Sequence, residues 1–295
     1  MLALLIDSSV FVGQYPTAVR FVDKSRPGVP PGGPWTARFS ARLTFCVVIV
    51  LLPPSETKRV GGDRPPLRLD ALGSPALGGL RSTLVDELIE LAADREASRL
   101  ALGLSPAQDA EIDRNAALRT SPTLSAIHRY TGVLYDALDI DSLRGAEAAR
   151  AGARLAVGSA LFGLLRAADQ IPAYRLSATS KLPGQPTLAA RWRPVLEPVL
   201  AELSAAELVV DLRSGSYAAL GRLPSAVRVD VLAEHSDGRR TVVTHFNKAH
   251  KGRLARALAA TKSEPTDAAA VAAVARRAAM KVERRGNELT IVVAA

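Results

Sequence analysis

The residues best placed to do chemistry are cations. In HFNKAHKGRLARAL, residues 245 to 258, Lys248, Lys251, Arg253 and Arg256 crowd together with two histidines. The preceding TVVT reads as a strand, so the charge gathers where a strand gives way to a helix. A helix N-terminus has free backbone N–H groups and partial positive charge, and it favours acidic side chains. Each cation placed there unopposed costs roughly 0.3–1 kcal/mol. A bound anion reverses that sign, because N–H groups, dipole and lysines converge on it. Gly252 lets backbone approach such an anion closely, and Arg253 and Arg256, three apart, share a face. A solvated surface helix is the plain alternative. Clustering at one helix end points instead to phosphate, with Lys248, Lys251, Gly252, Arg253 and Arg256 as the contacts.

A second stretch, KLPGQPTLAARWRPVL from Lys181 to Leu196, resembles the hairpin of helix-hairpin-helix DNA-binding elements. Those hairpins hold phosphates through backbone N–H groups, independent of sequence. Lys181 and Gly184 would form a second anchor; Pro186 stands where such hairpins have a glycine and has no N–H to donate. A third stretch, LLPPSETKR, puts Ser55, Glu56 and Lys58 just past an apolar strand, where loops present functional groups. With Arg166, Tyr174, Arg175 and Asp211 they would line a pocket, and the protein would then be an enzyme acting on a nucleotide or nucleobase. SETK fits the serine-lysine hydrolase spacing, but its SDN and KTG companions are absent. There is no Walker loop, HExxH or GxSxG. His235, His245 and His250 with Glu234 form a metal set only if a hairpin gathers them, and isolated histidines are more often structural, so no metal or cofactor is expected. The balance favours a binding protein over an enzyme, with no catalytic residue assigned.

The elements that position these groups follow from composition and pattern. The chain has 295 residues, 48% hydrophobic and 23% charged, a globular balance. A formal charge of +9 favours polyanionic partners. The single cysteine, Cys46, excludes an internal disulfide and fits a reducing, cytoplasmic setting. Residues 1–46 lack periodicity and contain GVPPGGP, so they read as a disordered tail or an upstream-start extension. They carry +3, leaving +6 for residues 47–295, which read as one compact unit. VVIVLL is a buried strand, too short to span a bilayer. Gly79 to Leu102 has helical apolar spacing. RLAVGSALFGLL starts as a strand and is expected to turn helical after Gly158. Leu188 to Leu203 is a helix that Pro194 and Pro198 should kink or divide. VRVDVLAEH with RTVVTHF, and KVERRGNELTIVV, are hairpins. Strands scattered among helices give a mixed α/β (α+β) domain, without the regular alternation of a doubly wound fold.

The order of segments adds a resemblance. LLPPSETK, YTGVLYDAL, SALFGLLRAADQIPAYRL, TLAARWRPVL, LVVDLRSGSY and TVVTHFNKAHKGRLARAL follow one another as in the bacterial YaaA family of peroxide-stress proteins. Tyr130 and Tyr135 fit its second segment. Gly163, Leu165, Arg166, Tyr174, Arg175 and Leu176 fit the third, and Lys248, Ala249, Lys251, Gly252, Ala255 and Arg256 the last. The resemblance runs from about Val48 to Lys262. It implies a cytoplasmic protein with a helix-hairpin-helix element and a basic cleft. It further implies binding of DNA with little sequence preference, and limitation of iron-dependent damage during peroxide stress; the partner expected here is duplex or branched DNA.

Overall fold

The computed structural model describes residues 48–242 and 247–294. The tail expected at 1–46, His245 and the end of the strand before the basic helix lie outside the described residues. The strands are β1 (Val48–Leu52), β2 (Arg64–Pro66), β3 (Pro122–Ser125), β4 (Leu155–Ser159), β5 (Gly163–Arg166), β6 (Gln170–Ile171), β7 (Leu208–Asp211), β8 (Val227–Glu234), β9 (Arg240–Val242), β10 (Val282–Arg285) and β11 (Glu288–Ala294). The α-helices are α1 (Gly78–Leu91), α2 (Arg95–Leu102), α3 (Ala110–Ala116), α4 (Ala126–Arg129), α5 (Val133–Leu138), α6 (Gly145–Arg154), α7 (Leu188–Ala206), α8 (Gly215–Ala218), α9 (Asn247–Ala260) and α10 (Ala268–Arg277).

One sheet of the order β10-β11-β8-β7-β1-β4-β5, with β9 beside β8, forms the centre, and β2, β3 and β6 make a small second sheet. The neighbours β11, β8, β7, β1 and β4 run parallel; β5, β9 and β10 are antiparallel additions. Every residue of β1, VIVLL, is buried, as a central parallel strand covered on both faces requires. The antiparallel β8–β9 and β10–β11 pairs are the two hairpins expected from SDGR and RRGN. The fold is therefore mixed α/β, with a sheet more parallel than scattered strands suggest.

Three local expectations need correcting. Gly79 to Leu102 is two helices: the chain turns at Ala92–Asp94, and Asp94 caps α2 by accepting from the Glu96 and Ala97 N–H groups. The stretch after Gly158 is a β-hairpin, β4 paired with β5, because Ser159 accepts from the Leu161 and Phe162 N–H groups and turns the chain. Pro194 and Pro198 do not divide α7, which runs unbroken and buries Leu188, Trp192, Leu196, Leu200 and Leu203 along one stripe. That burial, with Trp192 Nε1 donating to the Ala160 carbonyl at 2.8 Å, outweighs the bonds the prolines remove. α7 starts at Leu188 with a Thr187 cap, and residues 172–187 contain no helix, so the Lys181–Thr187 turn has a helix on one side only.

Two parts of the fold position the site. β1 lies between β7 and β4; the chain leaves β1 towards β4 and leaves β7 towards β8, the other way. Their carboxyl ends therefore flank a topological switch point, where open α/β sheets bind ligands. Helix α9 packs on β1, β8, α5 and α6.

Candidate functional site at the strand carboxyl ends

Pro53 and Pro54 end β1, and the next four residues turn over the carboxyl edge of the sheet. The turn is pinned to the segment before α5: Lys58 bridges Tyr130, Arg59 N–H donates to the Arg129 carbonyl at 2.8 Å, and Thr131 N–H to Thr57 at 3.3 Å. Tyr135 Oη donates to the Pro53 carbonyl at 2.9 Å. The Lys58 side chain doubles back, and Nζ donates to the carbonyls of Ser55 (2.9 Å) and Glu56 (3.2 Å). It lies 4.2 Å from the centroid of the Tyr174 ring and 5.5 Å from that of Tyr130. Burial pulls the Lys58 ammonium down to about 7. Glu111 and Glu56 pull the other way, and Arg175 and Arg114 reinforce burial. The ring faces also favour the charged form, but both nearby carboxylates are already committed, Glu56 to Arg175 and Glu111 to Arg114.

Beside the amine is a chain of hydroxyls. Ser159, the last residue of β4, accepts from the Leu161 (3.2 Å) and Phe162 (3.0 Å) N–H groups. Two acceptor lone pairs are all a hydroxyl has, so Ser159 donates its own proton to Tyr174 Oη at 2.7 Å. Tyr174 then donates to Tyr130 Oη at 2.8 Å. Burial pushes both phenols well above their ordinary value, so they stay protonated at neutral pH. Tyr217, on α8, is pushed up to about 12 by burial, with Glu56 adding to the effect.

Arg175 closes the other side. Its backbone is clamped by Asn115, whose Oδ1 accepts from Arg175 N–H at 2.8 Å and whose Nδ2 donates to the Arg175 carbonyl at 2.9 Å. Nη2 donates to Glu56 Oε2 at 2.8 Å. Nε is buried and has no hydrogen-bond partner among the described residues. Asp211, at the end of β7, is held by Arg213 through two bonds of 2.9 and 2.8 Å. Gly158 makes room for that arginine, since a Cβ there would lie 2.9 Å from Arg213 Cδ.

The structure thus brings Ser55, Glu56, Lys58, Tyr174 and Arg175 together. Asp211 stands on the adjoining strand end with its carboxylate occupied. Arg166 is not among them: it pairs with Ala156, three residues before the carboxyl end of β4. Ser159, Tyr217, Arg213 and Glu111 belong to the site and were missed; only Ser159 carried a signal, as a polar residue ending an apolar strand. A separate polar cavity lined by Arg59, His128, Tyr130, Asp136 and Asp141 adjoins the loop but does not include Lys58.

The cations of the basic helix are divided. Lys248 and Arg253 are exposed. Lys251 is buried and donates to the Leu212 carbonyl at 3.1 Å, its ammonium pulled down by burial against the opposing charges of Asp230 and Asp211. Arg256 donates to the Leu138 and Asp139 carbonyls and lies 3.4 Å from the Asp139 carboxylate. Gly252 is buried against α5, where a Cβ would come within 2.2 Å of the Leu134 carbonyl oxygen. Lys181 and Gly184 are exposed, on the turn before α7. His235 shares a hydrogen bond with Thr241, and among the described residues no three His, Cys, Asp or Glu side chains converge as metal ligands. No helix among them is long and apolar enough to cross a membrane.

A mostly parallel α/β sheet with lysine, tyrosine and arginine side chains gathered at the carboxyl ends of its central strands defines the class of fold. The sequence comparisons go further. The family model described as "Peroxide stress protein YaaA" matches residues 48–276. A UPF0246 protein of Corynebacterium efficiens is 47% identical over 253 residues, covering 83% of this chain and all of the relative. One from Corynebacterium glutamicum is 46% identical with the same coverage. Another, from Streptomyces coelicolor, is 42% identical over 240 residues, 80% of this chain and 92% of the relative. The chain belongs to this family of peroxide stress proteins.

Proposed function

We propose that the chain is a DNA-binding protein of the peroxide response, that it holds the phosphate backbone without strong sequence preference, and that it limits iron-dependent damage to the DNA. The observation that carries the reading is the start of α9. Its first turn has no acidic residue and an exposed Lys248, with Arg253 exposed two turns into the helix. Lys181, on the turn capped by Thr187, supplies a further exposed cation. Phosphate contacts of this kind fix position and carry no base information. Lys251, Gly252 and Arg256 support the surface from beneath by fixing α9 to the β7 end and to α5. The test is a gel-shift series with single-stranded, duplex and branched DNA, each lane also analysed for products. Binding of duplex or branched DNA irrespective of sequence is expected, with lower strand scission by ferrous iron and peroxide when the protein is bound. No shift with any of the three DNAs refutes the reading.

Lys58 favours a second reading, an enzyme acting on a nucleotide or nucleobase at the crevice formed by Ser55, Glu56, Lys58 and the Asp211 strand end. A lysine depressed to about 7 in a cleft is a mark of acid-base or nucleophilic work. Altered DNA or nucleotide in the product lanes, lost on Lys58→Met, distinguishes it from binding alone.

A further inference from the structure

We propose that Lys58 Nζ is a nucleophilic amine that condenses with the aldehyde of a phosphorylated sugar, bound at the loop beside Tyr130, Tyr174 and Arg175. The proposal rests on the enzyme reading above and names its substrate class.

Three features of the geometry converge. First, the amine is presented without a carboxylate of its own. Its hydrogen bonds go to two main-chain carbonyls, while Glu56 and Glu111 are held by Arg175 and Arg114. Burial keeps much of it neutral at physiological pH, and only a neutral amine has the lone pair that attacks carbon. Second, Ser159, Tyr174 and Tyr130 form one hydrogen-bonded chain beside it, and Tyr130, the last acceptor of that chain, keeps its own hydroxyl proton to donate to an oxygen. Third, Arg175 Nε is a buried donor without an acceptor among the described residues, close enough to Lys58 for their charges to repel. A phosphate oxygen would satisfy that donor, and guanidinium groups suit phosphate.

The step balances without a further reagent. The Lys58 nitrogen pair forms a bond to the aldehyde carbon as the C=O π bond breaks; the oxygen takes the Tyr130 hydroxyl proton, the nitrogen gives up one of its own to restore that hydroxyl, and a neutral carbinolamine results. Loss of that oxygen as water, with one proton from nitrogen, leaves the C=N bond of an imine. Aldehyde and phosphate occur together in two sources, an abasic deoxyribose within DNA and a free sugar phosphate.

The experiment treats the full-length protein with sodium borohydride, which delivers hydride to the imine carbon and makes the bond permanent. One arm contains duplex DNA with a single abasic site; the other contains 2-deoxyribose 5-phosphate. Peptide mass spectrometry locates the adduct, and binding of intact duplex is measured on the same preparation. An adduct on Lys58 is expected in at least one arm, at least tenfold above any other lysine. It should be absent in Lys58→Arg, which keeps a cation on the loop, and fall at least tenfold in Arg175→Gln. No adduct in either arm, or one spread evenly over surface lysines, overturns the proposal. Duplex binding without trapping defeats this inference and leaves the DNA reading; trapping of the sugar phosphate without duplex binding does the reverse.

Discussion

At the scale of single residues, the site depends on what Lys58 does not have. An ordinary lysine is neutral in about a few parts in ten thousand at pH 7, and one at about 7 is neutral roughly half the time. Titration of the Lys58 Nζ resonance should show a midpoint near 7, and a midpoint near the ordinary 10.5 would remove the basis for nucleophilic chemistry. The sign for stability follows. The folded value lies below the unfolded one, so the folded state binds fewer protons between about 7 and 10.5, and stability should rise with pH across that window. Lys251, also pulled down, adds in the same direction. Denaturant unfolding of Lys58→Met at several pH values should show a shallower rise than the parent. Tyr174→Phe removes the acceptor of the Ser159 proton and should cost about 1–3 kcal/mol in the same measurement.

At the scale of elements, α9 is held from several sides. Arg154 at the end of α6 is buried and donates to the Leu258 (2.9 Å) and Thr261 (2.7 Å) carbonyls, so one helix caps the carboxyl end of the other. Gly252 lets α5 come into contact. Gly252→Ala should lower stability by roughly 1–3 kcal/mol, as overpacking does, read as a shift in the thermal midpoint. This packing also shows how far the sequence could be read. The glycine was recognisable as a place for close approach, but the group that approaches is the Leu134 carbonyl, more than a hundred residues earlier, and no local pattern carries that information. For the same reason Ser55, Glu56 and Lys58 were legible from their strand-end position, whereas Arg213 and Glu111 reach the site only through tertiary packing. The hairpins were legible because turn chemistry is local. The break at Asp94 was hidden because the apolar spacing continues across it, and the Ser159 turn because an apolar run reads alike as strand or helix.

At the scale of the whole molecule, the net charge of +9 overstates the cationic surface of the described residues. Arg81, Arg129 and Arg154 are each at most 1% exposed. Arg81 donates to the Phe162, Gly73 and Leu164 carbonyls, and Arg129 to those of Ile171 and Gly61. Burial pulls both guanidinium groups down to about 10, still charged at neutral pH, and both act as internal ties. Polyanion binding therefore rests on outward cations such as Lys181, Lys248 and Arg253. Replacing these three by Ala should leave the thermal midpoint nearly unchanged. It should also flatten the log–log salt dependence of duplex affinity, by up to about 0.9 for each phosphate that is no longer neutralised.

Salt dependence separates a grip on phosphates from every other mode of DNA binding. Duplex affinity of the full-length protein, measured by fluorescence anisotropy at about 50 and 200 mM salt, should fall steeply, with a slope of roughly 0.9 for each phosphate neutralised. The same slope is expected on unrelated sequences. Equal affinity at the two salt concentrations, or an affinity that depends on base sequence more than on salt, would contradict a protein that grips DNA by its phosphates.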